Sequence, residues 1–129
     1  MYKTGILWGG FDLFHFGHLE LIRKMKEKCG KLVVCVSDDE YIFEKKGHFP
    51  TISLDQRVAI VSAIKYVDTV DIQSFFFTKQ NAVDFYKPDV IGVGSDWEGR
   101  GWDGEKLGLP IIYFPYTKGI SSTILRKTI

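Results

Sequence analysis

The chain has 129 residues, with 17 Lys and Arg against 16 Asp and Glu and a formal net charge of +1. This near-neutral balance disfavours nucleic-acid binding driven by phosphate neutralisation, and its 45% hydrophobic and 26% charged residues fit one domain with its own core. Two cysteines, Cys29 and Cys35, are too few for a disulfide framework or a four-ligand zinc site, and no apolar run reads as a signal peptide or membrane span, so a cytoplasmic protein is expected.

Residues 3–8 form a short β-leaning run ending at Gly9-Gly10. Leu19, Ile22, Met25 and Cys29 then recur at spacings of three and four, the period of an amphipathic helix, with Gly30 as its stop. Residues 32–36 (LVVCV) read as a strand buried on both faces of a parallel sheet. Ser53-Leu54-Asp55-Gln56 matches a capping box and opens a helix expected to reach residue 65. Residues 67–72 predict a third strand, and 78–86 a helix closed by Pro88. Residues 89–94 and 110–114 predict the last two strands, and 121–128 a terminal helix.

Residues 44–52 and 95–109 follow neither period and read as irregular loops rich in Gly, charge and aromatic side chains. Strands alternating with helices predict a single α/β domain over residues 1–129. Its expected form is Rossmann-like: three layers around a five-stranded parallel sheet. Ligands in such folds bind beyond the carboxyl ends of the strands, near a topological switch point. The turn at residues 9–18 and both irregular stretches follow strand ends.

That turn reads Gly9-Gly10-Phe11-Asp12-Leu13-Phe14-His15-Phe16-Gly17-His18. Its glycines let backbone approach a ligand, and the helix start behind them offers unpaired N–H groups to a phosphate. His15 and His18, three residues apart, project to one side of the first helical turn. Packing, or half of a metal site, are the alternatives for such a pair. The segment is neither G-x-G-x-x-G nor a Walker A motif.

GGFDLFHFGH resembles the G-x-F-D-x-x-H-x-G-H signature of the HxGH nucleotidyltransferases, the superfamily of small cytidylyltransferases and adenylyltransferases. Three further blocks resemble the glycerol-3-phosphate cytidylyltransferase family within it: Tyr66-Val67-Asp68, Gly94-Ser95-Asp96-Trp97-Glu98-Gly99 and Thr117-Lys118-Gly119-Ile120-Ser121-Ser122-Thr123. The resemblance runs over nearly the whole chain.

It implies transfer of a cytidylyl group from CTP, with Mg²⁺, to a small phosphate monoester, and glycerol 3-phosphate is the leading acceptor. It also implies a homodimer, and products that feed envelope or capsule polymers. His15, His18 and Lys45 are the implied catalytic residues. Gly9, Gly10, Phe11, Lys46, Asp96, Thr117, Ser121, Ser122 and Thr123 are the implied nucleotide ligands, and Asp12, Arg57, Lys65 and Trp97 the acceptor ligands.

Physical readings stand beside these roles. Lys45 and Lys46 are expected on a loop able to close over phosphates. Asp96 can accept from an exocyclic amine such as cytosine N4, and Trp97 offers a flat wall. Ser121, Ser122 and Thr123 can cap a helix and seat a phosphate together. Arg57 and Lys65 flank one helix and offer positive charge, or simply a solvated face. Trp8, Phe14, Phe16 and Phe75-Phe76-Phe77 are expected in the core or a subunit contact.

The chain departs from the family at Tyr116 (Arg there), Lys118 (Glu there), Lys65 (Arg there) and Gly9-Gly10 (Gly-Thr there). Exchanging Arg for Lys loses bidentate phosphate geometry. The acceptor therefore stays open to phosphocholine, phosphoethanolamine or another polyol phosphate. Adenylyl transfer from ATP and a non-catalytic nucleotide-binding module are the remaining alternatives.

Overall fold

A computed structural model describes residues 1–115. The expected terminal helix at residues 121–128 lies outside them. The chain runs β1 (Tyr2–Gly9), α1 (Phe16–Lys26), β2 (Cys29–Ser37), α2 (Asp39–Lys46), α3 (Leu54–Ser62), β3 (Thr69–Gln73), α4 (Lys79–Tyr86), β4 (Val90–Gly94) and β5 (Ile111–Phe114). Two 3₁₀ turns, Ser95–Trp97 and Asp103–Leu107, separate β4 from β5.

The five strands form one all-parallel sheet in the order β3-β2-β1-β4-β5. The chain grows outward from β1 to β3, then crosses back to place β4 on the other side of β1. That reversal is the switch point, and it lies between β1 and β4.

The alternation of side chains along β2 divides the core. Leu32, Val34 and Val36 pack with Ile22 and Met25 of α1 and Val61 of α3. Val33 and Cys35 face the other way, with Ala82 of α4 and the partly buried Trp102. Both faces of the central strands are therefore covered, which explains their continuous apolar runs.

Four local expectations change. Helix α1 stops at Lys26, and Cys29 and Gly30 open β2 rather than closing the helix. Ser53 is the N-cap of α3, but its side chain makes no capping bond, and the helix ends at Ser62. The stretch predicted as an irregular loop at residues 44–52 begins inside α2, which is capped by Asp38 and closed by Gly47 in the left-handed region. The stretch at residues 95–109 contains the two 3₁₀ turns.

Candidate active site

A cavity of about 520 Å³ opens at the carboxyl ends of the strands. Trp8, Gly9 and Gly10 from β1 and its turn form one wall, and Gly92 and Val93 of β4 form another. Ser37 and Gln73, at the ends of β2 and β3, meet at its floor, where the Ser37 hydroxyl donates to Gln73 Oε1 at 2.7 Å. Helix α2 contributes Tyr41, Lys45 and Lys46, α4 contributes Lys79, and the segment between β4 and β5 adds Trp97, Trp102 and Asp103. The cavity thus lies across the switch point that the sheet order defines.

The turn after β1 is held by a buried carboxylate. Asp12 accepts main-chain N–H groups from Ile52 (2.8 Å) and Leu13 (3.1 Å) on Oδ1, and from Thr51 (2.8 Å) on Oδ2. Its neighbours Phe11 and Leu13 both adopt positive φ, 52° and 48°, which costs a side-chain-bearing residue energy. Asp12 therefore anchors a strained turn to the loop before α3, and its expected role as a direct acceptor ligand gives way to that anchoring. Phe11 is buried and sets its ring edge-on to His18.

The two histidines cap α1 reciprocally. His15 is the N-cap, and its Nδ1 accepts the Gly17 N–H at 3.0 Å. His18 stands three residues on, and its Nδ1 accepts the His15 N–H at 3.2 Å. Burial lowers the pKa of His15. Burial, then the charges of His15 and Lys46, push His18 down to about 3, against a smaller upward pull from Asp12. Both rings are thus neutral at pH 7, and with Nδ1 accepting, each carries its proton on Nε2. The rings stack with centroids 3.9 Å apart, so the projection to one side holds.

Among the described residues, Lys45, Lys46 and Lys79 line the cavity. Lys45 and Lys46 sit on the last turn of α2 rather than on a loop. Lys46 is close enough for its charge to disfavour protonation of His18, linking the cavity to the histidine pair. Lys45 Nζ lies 5.5 Å from the Tyr41 ring centroid. Lys79 was not foreseen. Its ammonium sits 5.6 Å from the ring centroids of both Trp8 and Tyr41 and 3.2 Å from Asp103 Oδ1. One signal could have found it: it is the first helical residue after the turn that follows β3.

Two expected acceptor ligands stand elsewhere. Arg57 is fully buried. Its Nε donates to the Ile52 carbonyl at 2.9 Å, its Nη1 to the Gly10 and Ser37 carbonyls, both at 2.7 Å, and its Nη2 to Asp39 Oδ1 at 2.5 Å. It ties the ends of β1 and β2 to α2, and offers neither a solvated face nor a free charge. Lys65 follows α3 and precedes β3, where the Asp68 N–H bonds the carbonyl of Leu32 early in β2. That is the amino end of the sheet, opposite the cavity, and Lys65 instead lies over the Tyr66 ring at 5.3 Å.

Trp97 lines the cavity, with Asp96 exposed beside it. Thr117, Ser121, Ser122 and Thr123 lie outside the described residues. Trp8, expected in the core or a subunit contact, packs against the buried cluster on the α4 face and also lines the cavity, and its indole N–H is buried with no partner among the described residues. Phe16 and Phe76 are exposed.

A parallel sheet with a cavity at its switch point and a histidine-capped helix beside it defines a nucleotidyltransferase-like fold. The Cytidylyltransferase-like family model matches residues 6–128, and the chain belongs to that family. It is 35% identical over 127 residues to glycerol-3-phosphate cytidylyltransferase of Staphylococcus aureus, covering 97% of this chain and 93% of that one. It is also 36% identical over 129 residues to ethanolamine-phosphate cytidylyltransferase of Dictyostelium discoideum, covering 94% of this chain and 36% of that one. Among solved structures, the lipopolysaccharide core biosynthesis protein of Thermoplasma volcanium superposes with a TM-score of 0.72 at 25% identity, covering 91% of this chain and 98% of that one.

Proposed function

We propose that the chain transfers a cytidylyl group from Mg²⁺-bound CTP to a small phosphate monoester, with glycerol 3-phosphate as the leading acceptor. The observation that carries this reading is the neutral, stacked His15–His18 pair at the N-terminus of α1, beside a cavity lined by three lysines.

The reaction needs donors more than a base. An acceptor phosphate oxygen attacks the α-phosphorus of CTP, a new P–O bond forms, and the α–β P–O bond breaks. Pyrophosphate leaves with the electron pair. The nucleophile is already an anion, so catalysis rests on alignment and on stabilising charge at the α-phosphoryl oxygens. His15 and His18 supply Nε2–H donors there, reinforced by the positive end of α1. Lys46, next to His18, serves the triphosphate with Lys45. Lys79, deeper and between two aromatic rings, receives the acceptor phosphate.

Mg²⁺ enters with the triphosphate as part of the substrate, held chiefly by the phosphates and water. Asp96 and Trp97 are kept as the cytosine and acceptor wall, and Thr117, Ser121, Ser122 and Thr123 as further phosphate donors. The stacked Phe43–Phe49 pair and the exposed Phe75 and Phe76 support a homodimer.

Pyrophosphate release, measured with CTP, ATP, GTP and UTP against glycerol 3-phosphate, phosphocholine and phosphoethanolamine, tests the reading. CTP with glycerol 3-phosphate should be the fastest pair. A preference for ATP would replace cytidylyl by adenylyl transfer, and no release with any pair would leave only nucleotide binding.

A further inference from the structure

Lys79 is confined on every side, and one of its neighbours has no role in the chemistry above. Asp103 places Oδ1 3.2 Å and Oδ2 3.3 Å from the ammonium, straddling it with both oxygens. The lysine side chain is only 12% exposed, against 56% for Asp103. Water cannot solvate this ammonium as it does a surface lysine. Apart from the Tyr41 hydroxyl at 3.5 Å, the carboxylate is its main polar partner.

The turn that carries Asp103 is fixed independently of the lysine. A Cβ on Gly104 would fall 2.1 Å from the Trp102 ring, so the indole closes on this glycine with no room for a side chain between them. Trp102 in turn packs, as Trp8 and Tyr86 do, against the buried cluster on the α4 face of the sheet, and its Nε1 donates to the Tyr113 hydroxyl at 3.4 Å. Asp103, between Trp102 and Gly104, is therefore held in register with the sheet.

We propose that Asp103 is a positioning residue that keeps the Lys79 ammonium charged and aimed into the cavity for the acceptor phosphate. The inference rests on the acceptor role assigned to Lys79 above. Other groups face this lysine from each packed element: Tyr41 and Lys45 from α2, Cys35 from β2 and Trp8 from β1. Asp71 of β3 lies behind Cys35 and accepts the Tyr86 hydroxyl.

Burial lowers the Lys79 pKa and Lys45 lowers it further, while the Asp103 carboxylate and, to a smaller extent, Cys35 raise it. Removing the carboxylate strips the lysine of its nearest counter-charge.

The test is the pH dependence of kcat/KM for glycerol 3-phosphate at saturating Mg²⁺–CTP, in wild type, Asp103→Asn and Asp103→Glu, since this parameter reports groups of the enzyme–CTP complex that meets the acceptor. Asp103→Asn should move the alkaline limb about one pH unit lower, the size expected for losing one close opposite charge. The KM for CTP should hold, and Asp103→Glu should restore the limb. An unmoved limb in Asp103→Asn overturns the proposal while leaving the function reading intact, as does an equal rise in both KM values. A wild-type enzyme that turns over no acceptor overturns both.

Discussion

The main-chain N–H of His15 donates to Nδ1 of His18 at 3.2 Å, and the two imidazoles stack with centroids 3.9 Å apart. One contact therefore caps α1 and fixes which nitrogen of His18 carries the proton. His18→Asn keeps a side-chain acceptor at this position of the cap but removes the Nε2–H. The expected result is a folded protein whose kcat falls about 10²–10³-fold, the usual loss for one transition-state donor. Circular dichroism and pyrophosphate release measured together separate this from unfolding.

The burial of His18 sets a pH dependence of stability. His18 titrates near 3 when folded, well below the ordinary histidine value of 6.5. Between those values the unfolded chain binds the proton and the folded chain does not. Stability is thus fully present above about pH 6.5 and declines as pH falls toward 3. The melting temperature of wild type should drop more steeply than that of His18→Asn between pH 7.5 and 4.5. Parallel curves for the two proteins would contradict a buried neutral His18.

Arg57 satisfies the carbonyls of Gly10, Ser37 and Ile52 while pairing with Asp39. Arg57→Ala leaves the three carbonyls without their donor and should cost about 3 kcal/mol or more, at about 1–3 kcal/mol for each buried polar group left unsatisfied. Urea denaturation measures it. A loss under about 1 kcal/mol, the range of exposed pairs, would return Arg57 to the surface role that its sequence suggested.

Asp12→Asn substitutes an amide for the oxygen that accepts from Thr51. An N–H then faces an N–H, and the strained residues on either side lose part of their anchor. The expected cost is about 1–3 kcal/mol of stability, with a fall in kcat because His15 follows three residues later. Unchanged stability by urea titration would show that the turn holds itself.

The lysines should separate by substrate. Lys79→Met is expected to raise the acceptor KM tenfold or more with little change in the KM for CTP, and Lys46→Met the reverse. Steady-state kinetics with each substrate varied in turn decides this, and identical profiles for the two variants would merge their roles.

What was legible in the sequence follows from how locally each feature is encoded. The turn from Gly9 to His18 packs strand end, phosphate-sized gap and donor pair into ten contiguous residues, so its chemistry and position are readable together. The parallel sheet is likewise written in runs such as Leu32–Val36. Helix α2 escaped notice because only Ile42 of its eight residues is buried, which leaves no apolar period to detect. Arg57 and Lys65 look alike on paper, as cations flanking one helix. Only the tertiary structure shows that one reaches inward to three carbonyls while the other stands at the far end of the sheet. Lys79 owes its character to Trp8, Tyr41 and Asp103, three residues far apart in the chain, and no local pattern records that meeting.

Attack by an acceptor phosphate oxygen on the α-phosphorus of CTP is tested most directly by following glycerol 3-phosphate labelled with ¹⁸O in its phosphate, using ³¹P NMR. Predicted is a CDP-linked product in which the oxygen bridging the two phosphorus atoms carries the label, together with unlabelled pyrophosphate. Label in the pyrophosphate, or hydrolysis of CTP without a linked product, would contradict it.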